Sequence, residues 1–196
     1  MRGFIVDDST NQPCKGIRTE RLLLRPYRRE DAPMLHAVLS DPETMRFWPA
    51  PFTAEQTAQW IERSLGLYES GLGRFAVIRQ EDGRLIGDAG LLRLDLDGTL
   101  EYDVGYIVSA AEWRRGYGFE AAAAVVAYGF QTLGLKRMCA NMAETHIASR
   151  KVAEKLGMLL EKTYINQRNR GILTCLYAIE SRHHETEQAG ATDESH

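Results

Sequence analysis

Two Asp-Gly pairs, Asp82-Gly83 and Asp97-Gly98, each stand between runs that read as strands. Asp-Gly is a strong short-range hairpin signal, because both residues tolerate the positive φ that a two-residue turn demands. The runs they separate are Arg74 to Arg79, Leu85 to Leu94 and Leu100 to Val108. Together they predict an antiparallel three-stranded meander in the middle of the chain.

The flanks alternate helix and strand. Arg21 to Tyr27 reads as a short strand and Ala32 to Leu39 as a helix. Thr53 to Tyr68 is a stronger helix, because Thr53 and Gln56 fit a capping box and Ile61, Leu65 and Tyr68 share one face. Past the meander, residues 109 to 118 form a loop rich in Gly and Arg. A helix follows, with Phe119, Ala123, Val126, Phe130 and Leu133 on one stripe and Gly134 as its C-cap. Lys136 to Met142 is a strand, and His146 to Leu156 is a helix closed by Gly157. Leu159 to Asn166 and Ile172 to Ile179 form a last pair of strands around Asn169-Arg170-Gly171. The order is strand, two helices, three strands, helix, strand, helix, two strands. That is a mixed α/β (α+β) fold with a mostly antiparallel sheet of about seven strands.

A chain of 196 residues is long enough for one domain with a core that needs no staples. The expected boundaries are an extension over 1 to 18, the domain over 19 to 180 and a polar tail over 181 to 196. The tail holds His183, His184 and His196 and has little to bury. It reads as solvated chain, with no metal expected. Cys14, Cys139 and Cys175 form no close pair, so neither a disulfide framework nor a zinc site is suggested. The net charge of −3 argues against general nucleic-acid binding. The longest apolar run, Ala121 to Tyr128, is too short to cross a membrane. Asp7 and Asp8 interrupt any signal-peptide pattern, so a cytoplasmic location is expected.

Three places could carry chemistry. First, GYIV leads through SAAEWRRGYG into FEAAAAVVAYGF. A helix start offers unpaired N–H groups and partial positive charge, and glycines admit a ligand to that backbone. Arg114 and Arg115 add charge, so Arg114 to Phe119 suits a phosphate or pyrophosphate. Neither the Walker A nor the Rossmann pattern fits. The plainer alternative is a tight turn, or a helix begun early by a Ser109/Glu112 capping box. Second, His146, Ser149 and Ala153 share a helix face, so a polar pair stands near a helix start. The alternative is a first turn satisfying its own donors. Third, Glu101 and Asp103 share one strand face and Tyr102, Val104 and Tyr106 the other. A carboxylate facing a cleft relays protons; one facing solvent does nothing chemical.

The segments TERLLLRPYRREDA, LIGDAGL, DVGYIV, WRRGYGFEAA and HIASRKVAEKLGM occur in this order. The set resembles the GCN5-related N-acetyltransferase (GNAT) superfamily, within it the ribosomal-protein N-terminal acetyltransferase branch, over residues 19 to 180. The resemblance implies a sheet splayed between its fourth and fifth strands, with acetyl-CoA in the notch. It assigns the acetyl carbonyl and pantetheine arm to the backbone of Ile107 and Val108. It assigns the pyrophosphate to Arg114, Arg115, Gly116, Tyr117, Gly118 and Phe119, and the thiol region to His146 and Ser149.

Four positions depart from the family pattern. Trp113 opens the loop where Gln or Arg is usual. His146 replaces a common Asn, Ala153 stands where many members carry a Tyr acid, and Met158 replaces a Phe. The implied activity is acetyl transfer to a primary amine, either a protein N-terminus or a small molecule, by direct attack. Asp103, then Glu101, is the candidate base. Ser149 would serve the leaving thiolate. A non-catalytic acetyl-CoA sensor or partner-binding module on the same fold is the alternative, and a nucleotide-binding regulatory domain rests on the Gly-Arg loop alone. Dimerisation is common in the family, so a homodimer is a further expectation. No nucleic-acid, membrane or metal partner is expected.

Overall fold

The computed structural model describes residues 5–7 and 16–181. The expectations for Cys14 and the tail histidines lie outside them. In chain order the strands are β1 (Ile5–Asp7), β2 (Gly16–Arg18), β3 (Leu22–Pro26), β4 (Gly73–Arg79), β5 (Leu85–Leu96), β6 (Thr99–Val108), β7 (Arg137–Ala143), β8 (Leu159–Asn166) and β9 (Ile172–Glu180). The helices are α1 (Ala32–Leu39) and α2 (Ala54–Leu65) between β3 and β4, α3 (Tyr117–Gln131) between β6 and β7, and α4 (Ile147–Lys155) between β7 and β8.

All nine strands join one sheet in the order β1-β2-β3-β4-β5-β6-β7-β9-β8. The expected count of about seven is therefore short by two. Both extra strands lie in the segment read as a loose extension. Each is three residues long, too short to show a period; β2 pairs onto the edge that β3 offers, and β1 pairs in turn onto β2.

The meander forms as its turns dictate. Asp97 and Gly98 both hold positive φ, 55° and 82°, the hand that matches the twist of the flanking strands. β5 and β6 then pair in an unbroken register from Gly87↔Val108 to Leu96↔Thr99. Thr53 caps α2 as its sequence demands: its hydroxyl accepts from Gln56 N at 3.2 Å, and the Gln56 side chain accepts from Thr53 N at 2.8 Å. The Ser109/Glu112 box does not form. Ser109 makes no side-chain cap bond, because Glu112 is buried in an ion pair with Arg79, 2.7 Å away.

Apolar layers cover both sheet faces. Tyr117, Ala121, Val125 and Tyr128 of α3 pack with Phe75, Val77, Leu91 and Val104. On the other face Leu35, Leu39 and Ile61 of α1 and α2 pack with Ala76, Ile78 and Ile107. The buried stripe of α3 is rotated from the expected one. It runs through Tyr117, Ala121, Ala124 and Tyr128, whereas Phe119, Ala123 and Phe130 are only half-buried. Alanines lie on every side of this helix, so its apolar residues mark no single face, and the two tyrosines set the rotation.

One junction breaks the regularity. β6 and β7 run parallel and share a single paired position, Asp103↔Cys139. β7 then pairs fully with β9 over seven positions. Beyond Asp103 the β7-facing edge of β6 has no strand beside it, and the sheet opens into a notch.

Candidate active site

The notch widens into a cleft of about 1130 Å³. Its floor is the free end of β6, from Asp103 to Val108. One wall is the start of α3, and the other is α4 with His146, Ser149 and Ala153. The far end is walled by Phe47, Trp48 and Trp60 from the α1–α2 side.

At the α3 end, Gly116 holds φ +83° at the N-cap. A residue with a Cβ is strained there. A Cβ added at Gly118 would lie 3.0 Å from the Tyr106 ring. These bare positions leave the first amides of a 15-residue helix open to the cleft. Arg114, Gly116, Tyr117, Gly118 and Phe119 line it. Arg115 does not: its guanidinium lies 3.2 Å from Glu112, and its carbonyl accepts from Arg21 at 2.8 Å. The buried Glu112 carboxylate holds the Arg115 side chain there. Ile107 and Val108 end the floor, but the Val108 carbonyl already accepts from the Trp113 indole at 2.7 Å. Trp113 thus clamps the loop to the strand.

At the α4 wall Ser149 is 8% exposed, and its hydroxyl stands 3.2 Å from the Tyr106 hydroxyl. Burial raises the Tyr106 pKa, so the phenol stays protonated at neutral pH. The sequence reading set Tyr106 on the strand face opposite Asp103 and gave it no role. Only the packing of α4 against the splayed strand brings it to Ser149. His146 stacks on Phe47 with ring centroids 3.8 Å apart. Burial, with the nearby charge of Arg46, depresses its pKa to about 4, so it is neutral at pH 7. Asn169, from the β8–β9 turn, donates to the Phe47 carbonyl at 2.8 Å. Phe47 therefore ties α4, the α1–α2 connection and the last hairpin together over the cleft.

The two candidate carboxylates part company. Asp103 borders the cleft and is 8% exposed. Its Oδ1 accepts from Asn141 twice, from the backbone N–H at 3.2 Å and the side-chain amide at 2.8 Å. Burial raises its pKa against those bonds, which makes it a better base. Glu101 lies outside the cleft lining, 3.1 Å from Arg137. Arg137 also pairs with Glu161 at 2.6 Å. Glu101 is bound into this ion cluster, away from the notch, because the β6–β7 pairing at Asp103↔Cys139 sets Arg137 beside it.

The sheet opens beside a helix start, and a half-open cleft lies between them. The acetyltransferase (GNAT) domain family matches residues 21–159. The chain belongs to that family and is an acetyltransferase. It is 30% identical over 169 residues to the uncharacterized N-acetyltransferase YoaA of Bacillus subtilis (strain 168), covering 83% of this chain and 95% of YoaA. An acetyltransferase of the GNAT family from Bacillus anthracis superposes with a TM-score of 0.72 at 27% identity, covering 84% of this chain and 98% of that one. The fold also matches RimL, a ribosomal L7/L12 alpha-N-protein acetyltransferase solved in complex with coenzyme A, with a TM-score of 0.69 at 17% identity, covering 83% of this chain and 95% of RimL.

Proposed function

We propose that this enzyme transfers an acetyl group from acetyl-CoA to a primary amine by direct attack. The observation that carries the reading is the notch: one paired position between β6 and β7, with an unpaired strand edge leading to a glycine-opened helix start. The residues present fit the co-substrate. Bare Cα positions at 116 and 118, with Arg114 beside them, suit a pyrophosphate, and the free edge of β6 suits an extended pantetheine arm. The thioester, when bound, supplies an activated acyl group.

The chain's own groups then divide the work. Asp103 accepts the proton that the ammonium must lose, directly or through water. Its Oδ2 carries no hydrogen bond from the described residues, and burial keeps it basic. Backbone N–H groups at the end of β6 are suited to polarise a carbonyl oxygen, worth about 3–4 kcal/mol when preorganised. Ser149 donates toward the leaving sulfur, and Tyr106 orients Ser149 from behind. Holding both reactants in one cleft supplies much of the remaining rate.

The test is calorimetric titration of acetyl-CoA, followed by detection of free CoA thiol with a panel of primary amines. Tight acetyl-CoA binding and amine-dependent thiol release support the reading. Binding without release from any amine would favour a sensor instead.

A further inference from the structure

The far end of the cleft, beside Trp60, contains a buried cation that the mechanism above does not use. Arg74, on β4, is 3% exposed, yet it borders the cleft. Its side chain reaches across the sheet. Arg74 is paired with Gly90 on β5, and Gly90 with Gly105 on β6, so all three positions share one face. A Cβ added at Gly105 would lie 2.1 Å from Arg74 Nη1 and 2.9 Å from Nη2. The guanidinium thus occupies the space a Gly105 side chain would fill, and Gly90 has none to block the way.

Its near side is fixed. Arg74 Nε lies 3.0 Å from Asp88 Oδ1 in a buried ion pair. The other Asp88 oxygen accepts from the Tyr27 hydroxyl at 2.5 Å and the Trp60 indole at 2.9 Å. Trp60 also covers the guanidinium, with its ring centroid 5.4 Å from Arg74 Cζ. The far side is open: neither terminal amino group donates a hydrogen bond to any described residue. A guanidinium carries five donors in a rigid fork. Arg74 borders the cleft, so an acceptor entering there can take up N–H groups that no described residue uses.

We propose that Arg74 recognises a planar carboxyl or carbonyl oxygen on the acceptor amine. Arg74 is paired with Asp88, and its selectivity lies in its geometry: paired N–H groups that match an sp² oxygen. The acceptors favoured are amines with such an oxygen near the nitrogen, as in an α-amino acid or a peptide N-terminus. Polyamines and amino sugars lack it. The assignment rests on the acetyl-transfer reading, which it narrows.

The experiment uses three acceptors of equal side chain: alanine, alaninamide and ethylamine. Each is assayed for CoA release with the wild-type enzyme and with the double variant Arg74→Gln/Asp88→Asn, which removes the guanidinium without leaving a lone buried charge. The wild-type-to-variant ratio of kcat/KM cancels differences in amine basicity. A loss of about tenfold or more for alanine or alaninamide, with ethylamine changed within about twofold, supports the proposal. Which of the two loses more tells a free carboxylate from a peptide carbonyl. Equal losses for all three, or none, overturn it.

Calorimetry of N-acetylalanine, N-acetylalaninamide and N-ethylacetamide against the CoA-loaded wild-type protein decides the matter if turnover is too slow to read or the double variant unfolds. Equal or undetectable binding of the three again overturns the assignment. Failure of the acetyl-transfer reading looks different: acetyl-CoA itself does not bind. The same three compounds titrated into the free protein then judge Arg74 alone.

Discussion

The Tyr106 hydroxyl stands 3.2 Å from Ser149 Oγ, joining a strand of the notch to the helix that faces it. Helix position 153, one turn on, holds a buried alanine, which has no proton to give. Ser149→Ala and Tyr106→Phe are each expected to lower kcat by about three- to twelvefold, the worth of one neutral hydrogen bond. The double variant should lose little more than either single one, because the two hydroxyls act as a unit. Fully multiplicative losses in a double-mutant cycle would separate them. A loss of 10²-fold or more at Ser149 would mark it as a proton donor and not only a hydrogen-bonding group.

Gly116→Val and Gly118→Val are expected to weaken acetyl-CoA binding by about tenfold or more while circular dichroism stays unchanged. Gly116 loses its left-handed backbone, and at Gly118 the new side chain meets Tyr106. Wild-type affinity in both, read by calorimetry, would remove the helix start from the binding site.

Asp103→Asn should reduce turnover by about 10²-fold with acetyl-CoA affinity little changed. Burial raises the Asp103 pKa, so in the wild type kcat/KM falls as pH drops and the carboxylate takes up its proton. The variant should lack that acidic limb. Glu101→Gln, whose parent carboxylate is held by Arg137, should keep turnover within about twofold. A reversed pattern in the two pH–rate profiles would make Glu101 the base.

His146 makes stability depend on pH. Its pKa falls from 6.5 to about 4 in the folded protein, so between those values the unfolded chain binds more protons. The contribution is complete above 6.5, declines as pH falls and is exhausted near 4. His146→Phe, which retains an aromatic ring against Phe47, should show a shallower loss of Tm across that window. Parallel Tm curves for the two proteins would mean that the imidazole titrates freely.

What the sequence made legible was local. The Asp97-Gly98 turn, the Thr53 capping box and the helix carrying His146 and Ser149 each depend on residues a few positions apart, and all three formed as read; Asp82-Gly83 joins β4 to β5 through a longer connection in which only Gly83 holds positive φ. The Gly-rich loop also stands at the notch that the family resemblance implies. The misses came from partners distant in the chain. Glu101 and Asp103 look equivalent on their strand until β7 sets Arg137 beside one and Asn141 beside the other. Tyr106 reads as a core residue until α4 arrives. The face of α3 was ambiguous because alanine marks no side. The first two strands are too short to have a period at all.

With Arg74 reading the acceptor as proposed, the lane of glycines beneath it separates where recognition is encoded from where it is read. Two strand spacings, about 10 Å, lie between the backbone of β4 and that of β6, and only a side chain as long as arginine delivers a guanidinium across them. A change in β4 can retune the pocket while every residue on β6 stays the same. A single methyl group placed on β6 can silence the arginine without altering it. On the assignment of Arg74 proposed above, the selectivity of this enzyme is inherited from a strand that stands back from its cleft, and it is guarded by atoms that are not there.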